Sequence, residues 1–548
     1  QYDAVTFFPR MAWEIGFKAF ASVMVVLAAT TLAWPRRIAF VAAAILFPPL
    51  FQDTLPMLLI VGLTLLAMRS NLRWPLLVAI GATLGFLSLQ KFTYLLIAGD
   101  GLTCVVGQRL RTPECGRSLA ALLGGTTASF LTGWVAAGQP LAAIPLFLQH
   151  SAWVASGYTE AMFLDESPAV FALGISGALL FLLLVWDRVN RESWPAALAL
   201  TGFGFLAWKH GFVRADGHTL GFFFFVLFAG IAAPRLNPSA GWGRHVTSGA
   251  LCAVALGGCL AAEPAMLTLP YHTSRLRLVK KTELAFQLPW VREIRDRQTR
   301  ALALGHALPA VRAAIGDATV DQFGNNQAIL LLNAFNYRPR PVFQSFQAYS
   351  EPLARLNETA ALSPDGAEFL LASLETIDGR YPTLDDAALL PRLQSDYRFV
   401  LAEGGFLLLQ KNSAPSAVTR KPLASGSLRY GTEAQTLPPG SGTVWASIEA
   451  PYSWLGRLRT FFYKPPELSL VVRDADDIER RFRLIVPAAR AGFLLSPMLL
   501  DTADLSTLLT QSAGREVRSI RLELPRGGVK YFRERARFEF ARLDIIAR

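Results

Sequence analysis

Cysteine, histidine and charge are all scarce in this chain. Of its 548 residues only 4 are cysteine and 6 histidine, and 17% are charged. The cysteines, Cys104, Cys115, Cys252 and Cys259, all lie in the first half. Nothing beyond Cys259 can be cross-linked by a disulfide, so the C-terminal half must hold itself together by packing, even in an oxidising compartment. Cys252 and Cys259 fall two helical turns apart on one apolar run and read as small packing residues rather than a reactive pair. Also missing from the C-terminal half are a P-loop, a nucleophile elbow, an HExxH segment and any cysteine–histidine metal spacing. Those absences exclude the familiar hydrolase and nucleotide-binding modules. The net charge of +12 would suit nucleic acid. No basic block, zinc-finger spacing or RNP-like segment accompanies it, so nucleic acid is not an expected partner.

What is present is hydrophobicity, unevenly spread. The chain is 52% hydrophobic, with a mean hydropathy of +0.34. Apolar runs occupy about 14–34, 38–52, 54–68, 74–89, 92–107, 118–137, 168–186, 194–209, 217–233 and 246–264. Counted as spans they make about ten helices, although several are shorter than the ~20 residues that cross a bilayer upright. Residues 1–264 are therefore expected to form a polytopic α-helical membrane domain. The chain opens at Gln1 without an initiator methionine or signal peptide, and an upstream portion is expected to be missing.

Arginines mark every second loop: Arg36 and Arg37, Arg69 and Arg73, Arg109 with Arg111 and Arg117, Arg188 and Arg191, Arg235 with Arg244. The positive-inside rule puts these loops in the cytoplasm. The alternate loops, the long 138–166 segment and the whole C-terminal half are then extracytoplasmic. Asp100, inside an apolar run, must face a partner or a water-filled cavity, unless Gly99 and Gly101 mark a helix break.

On the outer side one stretch stands out. Trp208 to Thr219 packs Lys209, His210, Arg214, Asp216 and His218 into a dozen residues, just before the run Phe222 to Phe225. Charges at the lip of a hydrophobic segment default to a functional hypothesis; the plain alternative is that Lys209 and Arg214 anchor helix ends at the headgroups. Asp216 and His218 share a face only in an extended loop, since in a helix they diverge by about 200°. Lys91 and the segment ending Tyr158-Thr159-Glu160 belong to the same side, as do the first residues around Asp3. Lys91 also suits an interfacial anchor. Gly157 and Tyr158 also suit an ordinary turn, and Glu160 a solvated loop charge.

Beyond Pro264 the pattern changes. Residues 265–412 mix short apolar runs with helical stretches and predict an α/β domain. Within it, Asn333 to Pro341 is dense in amides, aromatics and arginines, suiting either a glycan or phosphate contact or a rigid turn-rich loop. Ser413 to Ser427 reads as a linker. Residues 428–548 alternate between Gly/Pro turns and predict a β-sandwich-like domain.

This plan, with Leu89 to Tyr94, Ser156 to Glu160 and Lys209 to His218, resembles the GT-C superfamily of membrane glycosyltransferases, which includes oligosaccharyltransferases and protein O-mannosyltransferases. The resemblance implies a multi-pass protein of a bacterial inner membrane. Such a protein transfers a sugar from a polyprenyl-phosphate or polyprenyl-diphosphate carrier to an extracytoplasmic glycan, lipid or protein. Members use an acidic residue of the first outer loop as base or metal ligand, for which Asp3 is the candidate here. Lys91, Lys209 and Arg214 suit the leaving phosphate. Asp216, His218 or His210 suits the acceptor proton, and Tyr158 and Glu160 are expected to line the substrate site. A divalent metal on Asp216 and His218 stays open, without a further ligand at suitable spacing. Two other classes remain: a non-enzymatic, glycan-binding envelope scaffold, and a transporter or flippase, which would need an intramembrane polar path and repeated halves.

Overall fold

Long apolar runs become helices in the first half of the chain, and alternating runs become strands in the second. A computed structural model describes residues 30, 32–46, 54–69, 72–111, 115–187, 189, 193–232, 241–264, 288–413, 417–511 and 514–546. Asp3 lies outside these residues, as do Arg188, Arg191 and Arg235. The chain divides into two compact units, one joining Gln149–Met162 to Pro289–Arg548, the other comprising Asp3–Leu148 and Phe163–Leu288.

The second of these is helical. It contains α1 (Trp34–Leu46), α2 (Thr54–Ala67), α3 (Trp74–Ser88), α4 (Phe92–Arg109), α5 (Cys115–Ala136), the start of α6 (Ile144–Met162), α7 (Pro168–Trp186), α8 (Trp194–Val213), α9 (Thr219–Ala232) and α10 (Trp242–Ala262). Three of them, α5, α7 and α10, are long and apolar enough to cross a membrane. Several large apolar side chains point outwards, Leu179 and Leu183 of α7 among them. That suits a lipid solvent better than water. Small residues let backbones approach. A Cβ on Gly81 or Gly85 of α3 would sit 2.1 Å or 2.2 Å from carbonyl oxygens of α5, the close contact a small-xxx-small spacing permits.

Arg36, Arg109 and Arg244 stand within helices rather than in the expected loops, and each closes the end of a neighbouring helix. Arg109 donates to the carbonyls of Ala67 and Arg69 at the end of α2, Arg36 to the carbonyl of Ile231 at the end of α9, and Arg244 pairs with Asp187 after α7 at 3.0 Å. Each answers the partial negative charge and orphan carbonyls of a helix C-terminus. Tryptophans accompany them. Trp34, Trp74, Trp194 and Trp242 each open a helix, and Arg37, Arg117 and Arg111 lie over the rings of Trp34, Trp74 and Trp194. The helix α4 runs unbroken through Gly99, Asp100 and Gly101, so those glycines mark no break. The Asp100 carboxylate instead faces Gly202 of α8, where an added Cβ would lie 2.4 Å from Oδ2.

The other unit is rich in sheet. It follows α11 (Leu288–Gly305) and α12 (Pro309–Ile315) with a five-stranded sheet in the order β2-β1-β3-β5-β4, built from β1 (Thr319–Phe323), β2 (Asn336–Tyr337), β3 (Phe369–Ala372), β4 (Tyr397–Glu403) and β5 (Phe406–Lys411). Short helices α13 (Ala328–Leu332), α14 (Glu351–Leu362) and α15 (Leu390–Ser395) connect them. β1 pairs in parallel with β2 and β3, and β5 antiparallel with β3 and β4. The apolar alternation sorts the two faces. Phe369, Leu371, Phe406 and Leu408 join Val311 and Ile315 of α12 on one side, and Leu370, Ala372, Leu407 and Leu409 face a larger core on the other.

That larger core continues into two four-stranded sheets. Their strands are β6 (Ala417–Arg429), β7 (Ala434–Thr436), β8 (Val444–Glu449), β9 (Ser469–Asp474), β10 (Glu479–Arg483), β11 (Phe493–Ser496), β12 (Val517–Glu523) and β13 (Arg535–Ile546). The orders are β10-β9-β12-β7 and β11-β8-β13-β6. Three helices, α16 (Trp454–Phe462), α17 (Val486–Ala491) and α18 (Thr502–Gln511), lie between strands in the chain. Leu470, Val472, Ile520 and Leu522 of the first sheet share the core with Ala446, Ile448, Phe538 and Phe540 of the second. The expected linker at Ser413 to Ser427 is instead mostly strand. Residues from Ala417 onwards pair along the length of β13, because ladder hydrogen bonds to a long partner outweigh a Ser/Pro/Lys composition that disfavours strand locally.

A buried ion network braces the five-stranded sheet. Arg340, almost wholly buried, reaches Asp321 and Asp386, each at 2.9 Å. It also donates to the carbonyl of Gln322 at 2.7 Å and to Ser345 Oγ at 2.8 Å. Asn357 holds Asp386 from the other side at 3.0 Å. Burial pushes Asp386 up to about 6, against the pull of Arg340. Arg340 therefore belongs to the core, and the arginine-rich Asn333 to Pro341 segment is structural at this position.

Candidate functional site

The stretch from Lys209 to His218 forms the end of α8, a turn, and the approach to α9. His210 sits in the last turn of α8, and Lys209 immediately precedes that turn. The aromatic residues around them hold the two helices together. Trp208 stacks on Phe212 with centroids 4.1 Å apart, and Phe222 meets both rings edge-on at 5.5 Å and 5.3 Å. Gly211 permits this approach, since a Cβ there would touch Phe222 Cβ at 3.0 Å. The turn is also tied to the segment after α6. Leu164 N donates to the carbonyl of Val213 at 3.0 Å, and Ala215 N to the carbonyl of Leu164 at 3.4 Å.

Within the turn, Asp216 is the hub. Its Oδ2 accepts from Arg214 Nε at 2.9 Å, and its Oδ1 accepts from the backbone N–H of His218 at 3.2 Å and bonds His218 Nδ1. A hydrogen-bonded turn over 215–218, rather than an extended loop, thus brings together side chains that a helix would splay apart. Burial alone would raise the Asp216 carboxyl. The hydrogen bonds and charge of His218, with the charge of Arg214, outweigh it and hold the group below the usual carboxylate range. A carboxylate engaged on both oxygens is a poor proton acceptor. It is well placed to hold His218 with Nδ1 protonated, which puts the basic lone pair on Nε2. The His210 ring lies 5.2 Å from the His218 ring, edge to face.

Lys91 precedes the first turn of α4, in extended backbone, and is exposed. Tyr158 and Glu160 belong to the sheet-containing unit. They stand on α6 rather than in a loop, because residues 144–162 of the expected outer segment are helical. Gly157 is no turn residue either. The ring of Tyr349 lies against it, so that a Cβ would meet Cε2 at 2.7 Å, and the Tyr349 hydroxyl donates to the carbonyl of Val154.

That helix ends against two arginines distant in sequence. Arg380, with no exposed surface, donates to the carbonyl of Ala161 at 2.8 Å and pairs with Asp385 at 3.1 Å. Arg483 donates to the carbonyls of Glu160 and Ala161 at 3.3 Å and 3.2 Å. Beside them, burial pushes the Glu160 carboxyl up to about 7. Tyr452 is raised by its own burial and then by Glu160, against the pull of Arg483. Nothing local marks Arg380 or Arg483 as cap residues, since each lies more than 200 positions from the carbonyl it serves. The tryptophan–arginine pairs were legible in principle, as Trp-Pro recurs at the start of α1, α3 and α8.

Among the described residues no three His, Cys, Asp or Glu side chains gather as a metal site. No family model matches the chain, and no curated protein or solved structure matches it either.

Proposed function

We propose that the protein is a multi-pass membrane glycosyltransferase that moves a sugar from a polyprenyl-phosphate-type donor to an acceptor outside the cytoplasm. The observation that carries this reading is the Arg214–Asp216–His218 arrangement at the end of α8. It supplies a fixed cation for a leaving phosphate and an imidazole oriented by a carboxylate, the two groups such a transfer needs. In the proposed step the acceptor oxygen attacks the anomeric carbon and its proton passes to His218 Nε2. The bond from that carbon to the phosphate oxygen breaks, and the electron pair leaves on the phosphate, whose charge Arg214 and Lys209 balance. Asp216 acts as a positioning residue rather than the base.

The membrane setting rests on α5, α7 and α10, with the shorter helices completing a domain of about ten spans. The tryptophan–arginine end faces the cytoplasm in this proposal, and the sheet-rich half lies outside. Reconstituted full-length protein with labelled polyprenyl-phosphate sugars tests it. Turnover should fall by about 100-fold or more in His218→Ala and Arg214→Ala; unchanged turnover in both would remove the turn from the mechanism.

A second reading, a glycan-binding envelope protein without catalysis, draws on a groove of about 320 Å³ on the β9-β12-β7 face, lined by Thr436, Arg473, Glu479, Arg518 and Arg521. Paired arginines and carboxylates suit sugar hydroxyls. That reading predicts glycan binding that survives neutralising Arg214 and His218.

A further inference from the structure

The helix α16 is turned the wrong way round for a soluble protein. Its apolar stripe, Trp454, Leu458, Phe461 and Phe462, follows helical spacing yet is 72%, 47%, 61% and 54% exposed. The opposite side is bolted to the turn Val529–Tyr531. Ser453 caps the helix, accepting from Gly456 N at 3.1 Å and donating to the carbonyl of Lys530 at 2.7 Å. Gly456 lies so close that a Cβ would fall 1.9 Å from the carbonyl oxygen of Tyr531. Arg459 braces the end of the helix by donating to the carbonyl of Lys464 at 2.8 Å and covering the Tyr531 ring. The stripe is therefore held rigidly outwards, with Val529, 53% exposed, beside it.

The charges around this platform have one sign. Arg457, Arg526, Lys530 and Arg533 are exposed, and no acidic residue occurs in 452–464 or in 525–533. We infer that α16 and the 529–531 turn form a docking surface for an anionic lipid bilayer, with the aromatic stripe in the headgroup region and the cations on the lipid phosphates. Tryptophan and phenylalanine beside arginine and lysine are the composition of interfacial helices, and a patch of this kind on an otherwise polar fold marks an interaction site. A bilayer is available to this chain, because its α10 is long and apolar enough to cross a membrane. A second copy of the chain fits less well, since a two-fold contact through this face would bring the cations against one another.

The test is amide exchange of residues 453–463 in the full-length protein, one copy per nanodisc, in phosphatidylcholine alone or mixed with phosphatidylglycerol. Exchange should slow by about 10-fold in the anionic discs, return with added salt, and return in Leu458→Glu. Unchanged amide exchange in β9 and β12 shows that the variant is folded. Should Leu458→Glu disturb them, the double variant Arg457→Gln, Lys530→Gln carries the test, and its exchange in anionic discs should return to the rate in phosphatidylcholine alone. Equal exchange in the two lipids overturns the inference. So does protection that appears only when two copies share a disc, which would assign the face to self-association.

Discussion

Asp216 Oδ2 accepts from Arg214 Nε at 2.9 Å, and the other oxygen of the same carboxylate bonds His218. One acid therefore sets the position of both groups to which chemistry is assigned. Asp216→Asn keeps an acceptor for the backbone N–H of His218 but removes the charge that fixes the imidazole. Turnover of a polyprenyl-phosphate sugar should fall by about 100-fold with little change in KM, whereas Arg214→Ala should raise KM as well. Equal effects on KM in the two variants would reverse these roles.

The same carboxyl sets a pH limit on the turn. Its pKa is depressed in the folded protein, so its contribution is present above the ordinary value of 3.8 and is lost as pH falls through the lower folded value. Amide exchange at 214–218 should stay slow at mildly acidic pH and accelerate only below the ordinary carboxylate range. Acceleration already near neutral pH would contradict it.

Glu160 behaves in the opposite sense. Its folded pKa is raised from 4.5 to about 7, so the folded state binds the extra proton between these values and stability falls as pH rises through them. The loss should be on the order of 3 kcal/mol in the opening free energy of the sheet-containing unit. Glu160→Gln should flatten that dependence; the same slope in the variant would place its origin elsewhere.

Arg340 separates the two buried carboxylates of Asp321 and Asp386. Arg340→Met should cost about 3–5 kcal/mol, because it leaves uncompensated buried charge. Asp386→Asn should cost less, since Arg340 keeps Asp321. Exchange-derived opening energies of β1 and β3 measure both.

Gly157 offers a reversal. Alanine inside a helix ordinarily gains about 1 kcal/mol over glycine, but here the new Cβ would meet the Tyr349 ring at 2.7 Å. Gly157→Ala should destabilise by about 1–3 kcal/mol, and in a Tyr349→Leu background it should become neutral or stabilising. Thermal unfolding of the two pairs decides it.

Amino-acid order alone determined the division between apolar helices and sheet, since a long run of leucine, valine and phenylalanine, or an alternation such as that of β12, carries its own preferred environment. It also singled out Lys209 to His218, because charge beside apolar sequence is visible without coordinates. Tertiary structure decided the rest, through groups distant in sequence. Only the hydrogen-bonded turn beside Leu164 brings His218 and Arg214 onto Asp216. Only β13 makes a strand of Ala417 to Arg429. Arg340, in a segment that suits either an anion contact or a rigid loop, and Arg380, which no local pattern marks, are core residues because buried carboxylates and helix-end carbonyls from other parts of the chain receive them. Composition reports what a segment prefers by itself, and these outcomes depended on what it was packed against.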